Sequence, residues 1–208
     1  MKKAIVIIFL VLLIDQVFKI WVKTTMTIGE GIPVFGNWFI IHFTENEGMA
    51  FGMKLGGDYG KLILSLFRIL AVILIGWWLY RITRNKVSFG LILCISLIMA
   101  GAIGNIIDSA FYGLIFGEST YMEVARIFPP GGGYADFLHG KVVDMLYFPV
   151  IETRYPSWVP WFGGEDLTFF RPVFNIADSA ITVGVFILIL FQKKFFRKDT
   201  VESSAIPH

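Results

Sequence analysis

Ser88 to Asp108 reads SFGLILCISLIMAGAIGNIID, an uncharged apolar run closed by an aspartate. About 20 mostly apolar residues suffice to cross the hydrocarbon core of a bilayer. The stretch therefore predicts a membrane-spanning helix over about 88–107. Three further runs approach the same length, over about 4–22, 62–80 and 173–192. The first is interrupted by Asp15 and Lys19 towards its far end, and the second contains Arg68. The fourth is purely apolar only from Ile181 to Phe191. It reaches spanning length only by starting near Val173, which draws Asn175 and Asp178 into the helix. At about 1.5 Å per residue, Asp178 is then expected roughly 8 Å from that end. Composition agrees: 56% of the residues are hydrophobic and 16% charged, against about 25% charged in a soluble domain. The chain reads as an all-α membrane protein of four transmembrane helices, one membrane domain over 1–199 with a polar tail at 200–208.

Charge distribution sets the expected orientation. Lys2, Lys3, Arg81, Arg84, Lys86, Lys193, Lys194, Arg197 and Lys198 fall on one side of the four runs. Cationic flanks mark the cytoplasmic side, so both termini are expected there. The start Met1-Lys2-Lys3 with its apolar run resembles a signal peptide, but Asp15, Gln16 and Lys19 follow where a small-residue cleavage site belongs; it is read as a retained first span. The segments 23–61 and 108–172 then face outward. Asn37 to Thr44 has the aromatic and β-branched character of a short strand, and Thr44 to Gly48 reads as a turn. Pro129 to Gly133 has a loop signature, and the Trp- and Pro-rich stretch from Tyr155 to Phe170 suits the headgroup level. The outer part is thus expected to hold a small β-rich segment and extended loops.

Every aspartate at or near a span end, Asp15, Asp108, Asp144 and Asp178, falls toward this outer face. Carboxylates in or beside hydrocarbon are costly and usually functional. Two of them brought together share one proton and can act on water as acid and base. Gly104-Asn105-Ile106-Ile107-Asp108 and Phe174-Asn175-Ile176-Ala177-Asp178 repeat one pattern, an amide three residues before an acid. On a helix the two share a face. A helix cap is the competing reading for Asp178. Asp108, at a helix C-terminal end, is badly placed for the helix dipole, so a partner is expected to hold it. Asp144 lies among apolar residues ahead of a loop, as a partly desolvated acid or a surface turn. The sequence has no H-E-x-x-H, no G-x-S-x-G and no phosphate loop, and no basic stripe for nucleic acid. The single cysteine, Cys94, lies inside an apolar run as a core residue. A proton- or ion-coupled carrier is the alternative class. It needs polar groups reachable from both sides, whereas Ala4 to Leu13, Ala71 to Ile75 and Val185 to Leu190 are apolar.

Taken in order, Asp15-Gln16 with Lys19, Asn46-Glu47-Gly48-Met49-Ala50-Phe51-Gly52, Asn105 to Asp108, Val142-Val143-Asp144 and Asn175 to Ser179 resemble lipoprotein signal peptidase (signal peptidase II), a family of intramembrane aspartic proteases. The resemblance implies Asp144 and Asp178 as the catalytic pair. It implies Asp15, Lys19, Asn46, Gly48, Asn105, Asp108 and Asn175 as residues that shape the site. It further implies cleavage of a prolipoprotein before a diacylglyceryl-modified cysteine, no metal or cofactor, contact with membrane lipids and sensitivity to globomycin-type inhibitors. One departure stands out: Ser109 follows Asp108 where the family usually carries arginine. Arg68, placed about 9 Å inside the second span, is expected to reach the site rim and stand in for it.

Overall fold

In the computed structural model the described residues are 1–47, 57–85, 87–149, 151–154, 158, 164, 166–169 and 173–196. Gly48, most of the stretch from Tyr155 to Phe170 and the tail 200–208 lie outside them. Among the described residues three helices are long and apolar enough to cross a membrane: α1 (Lys2–Thr25), α2 (Gly57–Arg84) and α3 (Phe89–Ile107). A π-helical turn (Asp108–Tyr112) and the short α4 (Gly113–Ile115) prolong α3. The predicted fourth span is shorter than expected. Val173 and Phe174 form a strand, and α5 (Ile176–Leu190) has 15 residues, followed by α6 (Gln192–Phe195). The physical reason is Asn175, which is extended and caps α5 rather than lying inside it. Asp178 therefore sits in the first turn and not 8 Å down the helix. Arg68 is likewise deeper than expected, because α2 begins at Gly57; it lies about 16 Å along the helix.

The helix α3 is the centre of the bundle, packing most extensively on α5, then on α1 and α2. Its small residues permit this. A Cβ on Gly101 would lie 2.2 Å from the Ala177 carbonyl oxygen, and one on Gly184 of α5 would lie 2.8 Å from that of Cys94. Such close approach is how helices associate in lipid, where there is no hydrophobic drive between them. The outward faces stay apolar, with Phe9 and Leu10 of α1, Phe67 and Ile73 of α2 and Phe186 and Ile189 of α5 all exposed, as lipid-facing surfaces must be.

At one end of the bundle lies a four-stranded antiparallel sheet in the order β1 (Gly31–Phe35), β2 (Phe39–Asn46), β3 (Val142–Tyr147), β6 (Val173–Phe174). A separate pair joins β4 (Ile151–Arg154) to β5 (Asp166–Phe169). Two expectations change here. Thr44 to Asn46 is not a turn but the end of β2, because Thr44, Glu45 and Asn46 pair with Asp144, Val143 and Val142. Asp144 accordingly sits within a strand and not ahead of a loop. Leu146 and Tyr147 pair with Phe174 and Val173, and β6 leads directly into α5. The sheet thus brings Asp144 beside the start of α5.

Two apolar clusters hold the ends. Val22, Met26, Phe43, Tyr112, Phe116 and Met145 pack beneath the sheet, and Ala4, Leu79, Ile82, Leu91 and Ile95 pack at the opposite end. Between them runs a buried polar layer.

Candidate active site

The polar layer begins on α1. Asp15, Lys19 and Lys23 recur every four residues, so they form one stripe along the helix, and all three are fully buried. Lys19 bridges two acids: its Nζ lies 2.9 Å from Asp15 Oδ2 and 2.8 Å from Asp108 Oδ2. It also donates to Asn105 Oδ1 at 3.1 Å. A buried charge is tolerated only when paired and hydrogen-bonded, and each member of this triad meets that demand. Asp15 Oδ1 accepts the Ala177 N–H at 2.9 Å, in the first turn of α5. Gln16 donates to Asp108 Oδ1 at 3.0 Å and accepts from the Tyr112 hydroxyl at 3.1 Å. The Val143 N–H donates to Asp108 Oδ2 at 3.3 Å. Asp108 therefore ties α1, α3 and β3 together, and the partner expected for it is Lys19.

From this layer two amides reach the remaining acids. Lys19 can only donate, so Asn105 turns its oxygen to Lys19 and its Nδ2 to Asp178 Oδ1, at 2.8 Å. Asn175 is fixed by the helix start. Its Oδ1 accepts the Asp178 N–H at 2.8 Å while Asp178 Oδ2 accepts the Asn175 N–H at 3.4 Å, a reciprocal capping box. The Asn175 Nδ2 is then left to donate to Asp144 Oδ1 at 2.7 Å and to Asn105 Oδ1 at 3.2 Å. Asn46 donates to Asp144 Oδ2 at 3.2 Å. Asp144 and Asp178 thus belong to one hydrogen-bonded network, linked through Asn175 and Asn105. The cap and the candidate site, alternatives for Asp178 in the sequence, use the same hydrogen bonds.

The two acids differ in surroundings. Asp144 is buried at 3% exposure. Burial pushes its carboxyl up to about 7, and the charge of Asp178 pushes the same way against the amides of Asn46 and Asn175 and the ammonium of Lys19. Asp178 is half-buried and lies in the first turn of α5, where helix dipoles favour negative charge. Arg68, on α2, lies within electrostatic range of Asp178, Asp108 and Asp144. Ser109 is buried, and its hydroxyl donates to the Asn105 carbonyl oxygen at 3.0 Å. Gly48 lies outside the described residues. Among the described residues no group of His, Cys, Asp and Glu gathers as a set of metal ligands.

A second buried group was missed by the sequence reading. Lys23 pairs with Glu45 and donates to Ser119 Oγ at 2.9 Å. Its ammonium lies 4.9 Å from the centroid of the Tyr134 ring. The signal was present in the four-residue spacing of Asp15, Lys19 and Lys23 on an apolar helix.

Residues 7–194 match the family described as signal peptidase (SPase) II. A lipoprotein signal peptidase of Porphyromonas gingivalis (strain ATCC 33277) is 52% identical over 190 residues, covering 91% of this chain and 82% of that protein. One from Amoebophilus asiaticus (strain 5a2) is 40% identical over 187 residues, covering 88% and 75%. A solved structure of a bacterial membrane enzyme at 1.9 Å resolution superposes with a TM-score of 0.60 at 28% identity, covering 96% of each chain.

Replacing Lys19 by Met leaves Asp15 and Asp108 as buried carboxylates without a counter-charge. The expected cost is about 3–5 kcal/mol, read as a lower apparent melting temperature in detergent. Adding Asp108→Asn to Lys19→Met is expected to recover part of the loss. Equal melting of Lys19→Met and the parent would show that the triad is not what holds this layer.

Proposed function

The chain belongs to the signal peptidase II family, and on that premise we propose how its buried acids carry out the reaction. The activity is removal of the signal peptide from prolipoproteins, a hydrolase reaction at the membrane; a carrier is not favoured. In our reading the enzyme is of the aspartic type, with Asp144 and Asp178 as the catalytic pair. The supporting observation is that the fold draws these two acids from β3 and α5 into one amide-linked network and leaves them in different environments.

Asp178, half-buried at the start of α5, takes a proton from the attacking water. Asp144, buried and proton-retaining near neutral pH, donates its proton to the scissile carbonyl oxygen. The product is a tetrahedral diol. Collapse returns the diol proton to Asp144, and Asp178 passes its proton to the leaving amine. No covalent enzyme intermediate forms. Asn46, Asn105 and Asn175 hold the carboxylates in fixed rotamers, while Lys19 and Asp15 hold the amides and the helix start. Arg68, within electrostatic range of Asp178, offers a cation to the substrate or to developing charge at the rim in our reading.

The substrate is a prolipoprotein whose cysteine bears a diacylglyceryl group, cut just before that cysteine. A lipid-anchored substrate arrives by diffusion in the bilayer plane, which suits a site at the membrane edge. Lys2, Lys3, Arg81, Arg84, Lys193 and Lys194 lie at the bundle end away from the sheet. The positive-inside rule therefore supports cytoplasmic termini, four spans with α5 as the last, and a site toward the outer face. A globomycin-type cyclic peptide is expected to compete there with substrate.

The decisive experiment uses purified protein and a lipidated prolipoprotein. Asp144→Ala and Asp178→Ala are each expected to abolish cleavage while the protein inserts and purifies normally; substantial turnover by either removes that residue from the pair. The reaction needs Asp144 in its acid form. The rate is therefore expected to fall as pH rises through about 7, and a rate flat from pH 6 to 9 contradicts that role. Arg68→Leu is expected to lower kcat/KM by about 100-fold, in line with loss of one charge-stabilising group, with the fold intact by melting; near-normal cleavage disposes of the assignment.

A further inference from the structure

Residues 116–140 form a long outer segment that is not loose. The Phe128 N–H donates to the Ile115 carbonyl oxygen at 2.7 Å, Tyr134 N–H to Phe116 at 3.1 Å, Ala135 N–H to Gly113 at 3.1 Å and Gly140 N–H to Ser109 at 2.8 Å. Phe116 and Ile127 form an antiparallel bridge. On the other side Ser65 of α2 donates to the Leu138 carbonyl oxygen at 3.3 Å. The segment is thereby fixed against the outer end of α3 and touches α2.

On this rigid support stand aromatic side chains that the fold does not cover. Phe128 is 74% exposed and Phe137 is 53% exposed. Phe137 packs edge-on against Phe111, with centroids 5.9 Å apart. Phe111 and Leu114, one helical turn apart, are themselves each 46% exposed. Phe128 also holds φ at 49°, a left-handed conformation that a bulky residue adopts only at a cost. The fold thus holds the Phe128 ring outward at a backbone cost, in an environment set by where the segment sits.

Its position identifies that environment. The apolar segment Phe89–Ile115 has 27 residues, about 40 Å of helix against a hydrocarbon core of about 30 Å. Its outer end, with Phe111 and Leu114, therefore emerges at the headgroup boundary. Phe128 and Phe137 are attached to that same end. Arg126 and Asp136, both exposed, flank the two rings as polar groups that remain at headgroup level and limit the depth. We propose that this segment is a membrane-docked ledge, with Phe128 and Phe137 inserted among the lipids of the leaflet at this end of the bundle, continuous with the exposed side chains of Phe111 and Leu114. The inference rests on the bundle spanning a bilayer and is independent of which acids perform catalysis.

The test places a nitroxide at Phe128→Cys or Phe137→Cys in a Cys94→Ala background. The full chain is reconstituted in vesicles of phosphatidylethanolamine and phosphatidylglycerol. Collision rates with oxygen, which partitions into lipid, are compared with those of a water-soluble nickel chelate. A label at Glu118→Cys, at a site 67% exposed, is the aqueous reference. The expected result is an oxygen-to-nickel ratio several-fold above the reference at both aromatic positions, with Phe137→Cys deciding if Phe128→Cys misfolds. A ratio equal to the reference overturns the proposal. So does a lipid-like ratio that arises only on adding diacylated substrate, which would assign the rings to the substrate's acyl chains. Cleavage by the same preparations reports separately on the catalytic reading.

Discussion

The structure depends on one cation between two acids. Lys19 is sealed from water and touches Asp15, Asp108 and Asn105. In low dielectric a lone ammonium or carboxylate is prohibitive, and a pair is acceptable only when every remaining donor and acceptor is used. Asp15 spends its second oxygen on the start of α5, and Asp108 spends its other contacts on Gln16 and the β3 backbone. One buried ion cluster therefore fixes the relative placement of α1, α3, α5 and the sheet. It does so at the depth where hydrophobic packing alone gives helices no fixed register.

The candidate site is built outward from that cluster by elimination of alternatives. A lysine that can only donate orients Asn105, and a helix cap orients Asn175. Each amide then has its nitrogen left for a carboxylate. Rotamers set in this way require no reorganisation when substrate arrives, which is the physical content of a preorganised site. The different burial of Asp144 and Asp178 follows from their elements, a strand inside a sheet and the first turn of a helix beneath it. It divides two chemically identical groups into a proton holder and a proton acceptor in our reading.

Close packing and polar pairing act on different length scales here. Gly101 and Gly184 let α3 and α5 approach until their backbones nearly touch. That contact carries Asn105 to within hydrogen-bond reach of Asp178 and Asn175. A side chain at either glycine would separate the helices by more than a hydrogen bond tolerates, so the apolar seam is a condition of the polar layer above it.

The sequence by itself determined the helical membrane class, the four apolar runs and the acids at one end, because the need for uninterrupted apolar length and the cost of intramembrane charge are written locally. It also carried the order of motifs that places the chain in its family. The extent of β2 through Asn46 and the place of Asp144 within β3 were decided by pairing between strands nearly 100 positions apart, which no local pattern encodes. The start of α5 at Ile176 was decided by Asn175 bonding the Asp178 N–H, where hydropathy alone favoured an earlier start. Only tertiary structure could show that the cap and the candidate site are the same atoms. Likewise only folding brings Lys23, Glu45 and Ser119 together, since a buried ion pair is defined by what surrounds it and not by its neighbours in the chain.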